Sequence, residues 1–261
     1  MSVDLIQYAG LAQSILQGST PYSSAKRAIS SLFAAQTNLS RFEHLCLRLT
    51  VIDSYYSTNM SKRYYGIEDI GLALQRIGPA DDDITQFFLD YITNPPSSSE
   101  ANAFFSAVYG INKSGDRSKR AQSLISKYGY FQTVYRFPIF DTLARKSYAK
   151  LSRLYPDQIR RCRKLDDIQE FFQCLRELNK TIDSYDKMDN LLWLMGKVAE
   201  GNLSLIINRD KYVALTVHCG QKLSLPLLQN LAANGSTARG ILGEDLCAFI
   251  SFVGNLDTAN G

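Results

Sequence analysis

Two residues 22 positions apart, Lys119 and Asp141, are the strongest candidates for chemistry in this sequence. Lys119 lies in "SGDRSKRA", which reads as a tight turn running into a helix, with Arg117 and Arg120 close by. Neighbouring cations and a helix N-terminus both disfavour the charged amine, and a neutral lysine is a nucleophile. Asp141 follows a Phe-Pro turn in "YRFPIFDTLARKSYAKL", at the head of a segment dense in Lys and Arg. A carboxylate held there can orient a leaving group or stabilise a sugar that turns cationic. An aspartate at that place is equally a good helix cap, which needs no ligand. Both readings of Asp141 stand at this point, as does a purely structural Lys119.

A second group closes the apolar run "LCLRLTVIDSYYSTN". Asp53, Tyr55, Tyr56 and Asn59 combine aromatic faces with hydrogen-bonding groups, which suits stacking on and reading a nucleic-acid base. The other reading is a helix end at which Asp53 bonds the turn that follows. His44, within "RFEHLCLRL", reads as a structural histidine, and Trp193, the single tryptophan, as core.

Net charge is +4, and it is unevenly spread. Residues 111–164 hold fourteen Lys and Arg against three acids, a local +11 that leaves −7 for the rest of the chain. Such segregation points to an electropositive face for a polyanion. Arg117, Arg120, Lys127, Arg136, Arg145 and Lys146 are the candidate phosphate contacts, with duplex DNA as the expected partner. A merely solvated basic surface is the plain alternative.

Other chemistry lacks its residues. There is no G-x-G-x-x-G and no G-x-x-x-x-G-K-[S/T], and "GNLSL" is not a nucleophile elbow. The five cysteines show no C-x-x-C spacing, and only two histidines are present, so no metal site and no cofactor is expected. No apolar run reaches about 18 residues, so no membrane span is expected. The N-terminus reads as an amphipathic helix and not a signal peptide, which makes the expected setting cytoplasmic with reduced thiols.

The elements that must position these groups are mostly helices. Apolar residues recur at three and four over most of the chain, with Gly18 and Gly78 as stops and serines as caps. "TNPPSSS" is the clearest loop of the first half, "QTVYRFP" reads as extended, and a helix is expected from about Ile139 to Leu154. "NLSLII" alone has strand composition, so at most one short strand or hairpin is expected near residues 203–207. The expected fold class is mainly α, a multi-helix globular fold. The chain is expected to form a single unit over 1–261. The alternative division sets lobes 1–110 and 165–261 against the basic segment 111–164.

"SKRAQSLISKYGYF" followed by "FPIFDTLARK" resembles the helix-hairpin-helix base-excision DNA glycosylases, 8-oxoguanine glycosylases among them. In that superfamily a turn-Lys-x-Ala helix precedes a Val-Pro-Val-Asp or Phe-Pro-Val-Asp-Thr segment by about twenty residues. The motifs span about 35 residues here, within a helical layout over roughly 30–200. "NKSGDRS" keeps one glycine of the Leu-Pro-Gly-Val-Gly hairpin, and "FPIFD" has one extra residue between Pro and Asp. The resemblance implies that Lys119 attacks the sugar C1′, that Asp141 stabilises the cationic transition state, and that the helix ending "IDSYYSTN" lines the base pocket. The implied activity is excision of a flipped, damaged or modified base, with or without lyase action. Two other functions stay open: a helical nucleic-acid binder without catalysis, and a helical protein-interaction module whose basic stretch meets an acidic partner.

Overall fold

The structure is a computed structural model that describes residues 4–56, 58–62, 65–93, 99–111, 115 and 120–258. Fourteen helices are found among them. The first five are α1 (Leu5–Gln17), α2 (Pro21–Ala34), α3 (Arg41–Tyr56), α4 (Ile67–Ile77) and α5 (Asp81–Thr93). Next come α6 (Ser99–Ser106), α7 (Gln122–Gln132), α8 (Thr142–Leu154), α9 (Ile168–Ile182) and α10 (Tyr185–Ala199). The last four are α11 (Arg209–Cys219), α12 (Leu225–Asn234), α13 (Ser236–Leu242) and α14 (Glu244–Thr258). The protein is therefore mainly α, and the described residues pair as strands only at one isolated bridge, Val108 with Arg120.

The strand expected near 203–207 is a turn. Leu203, Ile206 and Ile207 are buried, and the Leu203 carbonyl accepts from the Ile206 and Ile207 amides. Apolar residues spaced by three and four suit a turn that buries one side, so composition misled here. Two boundaries also differ from expectation. Residues 133–135 form a turn and not an extended segment, and α8 starts at Thr142, after Phe137 to Phe140, which are buried outside any helix. The expected loop at 94–98 lies outside the described residues.

The chain separates into two compact units. One holds Met1–Ala25, Thr142–Leu165 and Cys174–Gly261; the other holds Lys26–Asp141 and Asp166–Gln173. The boundaries thus fall at 25, 141, 165 and 173, and the basic stretch 111–164 is shared between the units.

In the first unit α10 is the central helix. It is buried continuously from Met188 to Gly196, Asp189 and Asn190 included, and Asn190 Oδ1 accepts from the Tyr22 hydroxyl at 3.1 Å. It packs on α1 and α8, and its N-cap Ser184 accepts from the Lys187 amide. Gly196 makes the α8 contact possible, since a Cβ there would lie 2.9 Å from Leu143. Trp193 is buried with its ring centroid 4.5 Å from that of Tyr22, as a core residue should be.

The second unit is built on aromatic packing. Phe88, Phe105, Phe137 and Phe172 meet edge-to-face or stacked, with centroids 4.9–6.2 Å apart. α7 runs through this core, and Gly129 admits Phe88 and Phe137 against its backbone. Arg48 of α3 crosses the unit in buried form. It bonds Asp81 at 2.7 Å and the Phe33 carbonyl at 2.9 Å, and stacks on the Phe33 ring. His44 has the structural role expected of it, with its ring nitrogen 3.3 Å from the Leu32 carbonyl.

Candidate catalytic site

α7 positions the site. Every residue from Leu124 to Phe131 is buried, so the helix has no solvated face over two turns. Lys127 falls inside that run, and its side chain is only 4% exposed. A phosphate contact needs an open ammonium, so the expected role of Lys127 on the DNA backbone is corrected: it is an interior cation.

Its partner comes from the segment after the turn. Phe137, Ile139 and Phe140 are buried, with Phe140 against Phe171 and Phe172. This anchors the segment beside α7. The Phe140 amide donates to Ser126 Oγ at 2.9 Å, and the next residue, Asp141, brings Oδ2 to 3.3 Å from Lys127 Nζ. Two successive residues of α7 thus hold two successive residues of the Phe-Pro segment. Asp141 immediately precedes α8 in the chain, yet its carboxylate has an ion-pair partner beyond any helix cap.

The ammonium of Lys127 also donates to Ser123 Oγ at 2.8 Å and lies 5.0 Å from the centre of the Tyr56 ring. Tyr56, the last residue of α3, therefore joins the helix end read as a base pocket to the pair. The other members of that group are placed differently. Asp53 is buried and its carboxylate is committed to its own chain. Oδ1 accepts from Met60 N at 2.8 Å and from Thr58 Oγ1, and Oδ2 accepts from Ser61 N at 2.9 Å and from Ser61 Oγ. Burial pushes this carboxyl up, but the hydrogen bonds from Ser61, Thr58 and Met60 outweigh it and hold it below the usual range. Asp53 thus shapes the turn after α3, the simpler of its two sequence readings. Tyr55 is exposed, and Asn59 takes a left-handed φ of 64° in that turn.

The remaining candidates divide between the units. Arg120 and Arg136 are exposed in the second, and Arg136 Nε donates to the Thr133 carbonyl at 3.1 Å. Lys146 is exposed in the first, where Arg145 bonds the Thr142 hydroxyl at 3.4 Å. Arg117 and Lys119 lie outside the described residues. No group of three or more His, Cys, Asp or Glu able to hold a metal occurs among the described residues. No described helix is long and apolar enough to cross a membrane.

The arrangement sets a primary amine against a carboxylate, with a hydroxyl and an aromatic face beside the amine. It can exchange a proton within the pair, present an amine to an electrophilic carbon, and set a negative charge beside a developing cation. Sequence reasoning took Lys127 for a surface residue. The signal that marks it is its setting in "SLISKYGYF", a lysine within an otherwise uncharged, largely apolar run. No protein-family model, no curated protein and no solved structure matches the chain.

Proposed function

We propose that the protein is a DNA glycosylase that removes a modified base from duplex DNA, with Lys127 and Asp141 as its reacting pair. One observation carries this reading: a lysine inside an apolar helix, 3.3 Å from an aspartate that stays 15% exposed. Burying an ammonium costs several kcal/mol, and a well-packed hydrophobic residue at such a site is about as stable or more so. Stability alone therefore does not account for a lysine here, whereas chemistry does. Asp141 is the residue that the glycosylase resemblance assigns to catalysis. The amine matched by that resemblance, Lys119, is outside the described residues, and the proposal gives its part to Lys127.

In the reaction Lys127 passes one proton to Asp141, and the freed amine attacks C1′ of the deoxyribose. The N–C1′ bond forms as the bond from C1′ to the base breaks. The base leaves with that electron pair and takes up the proton held by Asp141. A carboxylate is thereby restored beside the sugar as positive charge develops, which favours the transition state over the ground state. The lysine nitrogen then passes a proton to O4′ as the C1′–O4′ bond breaks, which leaves a lysine–sugar iminium that borohydride reduces and water otherwise hydrolyses to free the lysine. Arg120 and Arg136, exposed in the same unit as the pair, hold phosphates and place the sugar.

A second reading, binding of nucleic acid without excision, is favoured by the closure around Lys127, whose ammonium is already engaged by both Ser123 and Asp141. One experiment separates the two. The protein is incubated with duplexes bearing oxidised, alkylated or deaminated bases, and borohydride is added to trap a lysine–sugar adduct. Excision and trapping that disappear in Lys127→Met and Asp141→Asn support the glycosylase. Salt-sensitive binding without excision on any duplex leaves the second reading, and absence of binding removes both.

A further inference from the structure

Ser123 stands about one turn before Lys127 on α7 and takes no part in base excision. Its Oγ accepts from Lys127 Nζ at 2.8 Å, within hydrogen-bond reach of an amine that can act as a base. The neighbouring serine is committed elsewhere. Ser126 is fully buried, its Oγ accepts from the Phe140 amide at 2.9 Å, and it donates to the Ser123 carbonyl at 3.0 Å. Ser123 is half-buried, the last position of α7 before the enclosed run from Leu124 to Phe131. Ser123 and Asp141 are thus the two partly open members of a chain of three groups whose middle, Lys127, is enclosed.

The order hydroxyl, base, orienting carboxylate is what an activated serine requires. A serine hydroxyl is a weak nucleophile until a base takes its proton as it attacks. A lysine serves as that base only when neutral, and Asp141, 3.3 Å from the amine, accepts the spare proton. The Tyr56 ring, 5.0 Å from Nζ, then favours the ammonium that forms as the serine is deprotonated. Ser123 also lies in the first turn of α7, where amides have no intrahelical partner, and Ala121 at the N-cap brings them no side-chain acceptor. Amides so placed suit the oxyanion of a tetrahedral intermediate.

We propose that Ser123, Lys127 and Asp141 form an acyl-transfer centre that hydrolyses small carboxylic esters through an acyl-serine. Lys127 first passes one proton to Asp141. Ser123 Oγ then attacks the acyl carbon, its proton goes to Nζ, and the carbonyl electron pair moves onto oxygen. When the carbonyl re-forms, the ester oxygen leaves with the bond pair and takes the proton from Nζ. Water repeats the sequence on the acyl-serine, giving up a proton to Nζ, and Ser123 leaves with it; the products are an acid and an alcohol. This activity goes beyond base excision and does not depend on it. The same amine is nucleophile toward a sugar and base toward the serine.

The test uses the full chain with p-nitrophenyl acetate and a fluorophosphonate probe, and no DNA is present. The parent is expected to release nitrophenolate in a burst and then turn over. Peptide mass mapping is expected to find the probe and the acetyl group on Ser123. Ser123→Ala changes a half-buried position, so it should keep the parent's thermal midpoint and lose the label. Ser123→Ala and Lys127→Met should each slow turnover by about a hundredfold or more. Parental turnover in Ser123→Ala overturns the proposal, as does a folded parent with neither label nor turnover. Probe or acetyl on Lys127, or on any residue other than Ser123, overturns it too, and this mapping needs no variant to fold. Excision with borohydride trapping but no label on Ser123 leaves the glycosylase reading alone. A label on Ser123 with no excision on any duplex removes that reading and keeps the acyl-transfer centre.

Discussion

Lys127 Nζ lies 3.3 Å from Asp141 Oδ2 in an ion pair whose cation is enclosed and whose anion is open along one edge. The asymmetry sets what each substitution does. Asp141→Ala leaves a buried ammonium without its counter-charge and should cost about 3–5 kcal/mol. Lys127→Met leaves a carboxylate that water still reaches and should cost less. The double variant should recover much of the loss. Thermal and urea unfolding of the three variants measure this cycle. Asp141→Asn also removes the counter-charge but keeps an amide oxygen for the ammonium, so it should cost less stability than Asp141→Ala; under the proposed function it abolishes base removal, and full activity in that variant would sink the catalytic assignment.

Binding to duplex DNA should weaken by orders of magnitude from low to physiological salt if about six phosphates are met. Arg120→Ala and Arg136→Ala should each reduce the slope of log affinity against log salt by about one. Lys127→Met should leave the slope unchanged, because its ammonium is buried. An equal effect of all three would contradict the interior placement of Lys127.

Asp53 gives the protein an acid-sensitive turn. Its folded carboxyl sits below the unfolded value of about 3.9 because the hydrogen bonds of the 58–61 turn outweigh burial. The stability this contributes is whole above pH ~4 and is lost as the pH falls through the folded value. Asp53→Asn should lower stability at neutral pH by about 1–3 kcal/mol and converge with the parent in acid. Unfolding midpoints followed from pH 7 to pH 2 check the sign.

Gly129→Ala tests the aromatic core. The added Cβ would come within 2.6 Å of the Phe88 ring and 3.1 Å of Phe137. Overpacking of this kind costs about 1–3 kcal/mol, read as a drop in thermal midpoint. Since Phe137 anchors the segment bearing Asp141, excision should fall as well.

Arg48→Lys should destabilise nearly as much as Arg48→Met. A lysine cannot reach both Asp81 and the Phe33 carbonyl, which the two ends of the guanidinium bond at 2.7 and 2.9 Å. Chemical denaturation of both variants decides it, and a lysine variant as stable as the parent would show that the bidentate geometry is dispensable.

The sequence by itself determined the helical class and most helix positions, because caps, glycine stops and 3.6-residue periodicity act over a few residues. It singled out Asp141 and the helix end at Tyr56, both of which the structure brings to Lys127, and its charge count separated basic from acidic stretches. What it could not decide depended on contacts between distant segments. The turn at 203–207 has strand-like composition, and only burial of Leu203, Ile206 and Ile207 together with the Leu203 carbonyl bonds makes it a turn. Lys127 stands in the uncharged run "SLISKYGYF", but only the enclosure of α7 from Leu124 to Phe131 makes it an interior cation. Its pairing with Asp141 further requires that phenylalanines from α5, α6 and the start of α9 hold the Phe-Pro segment against α7. Such long-range packing leaves no local period in the chain, so tertiary structure alone chose which lysine faces Asp141.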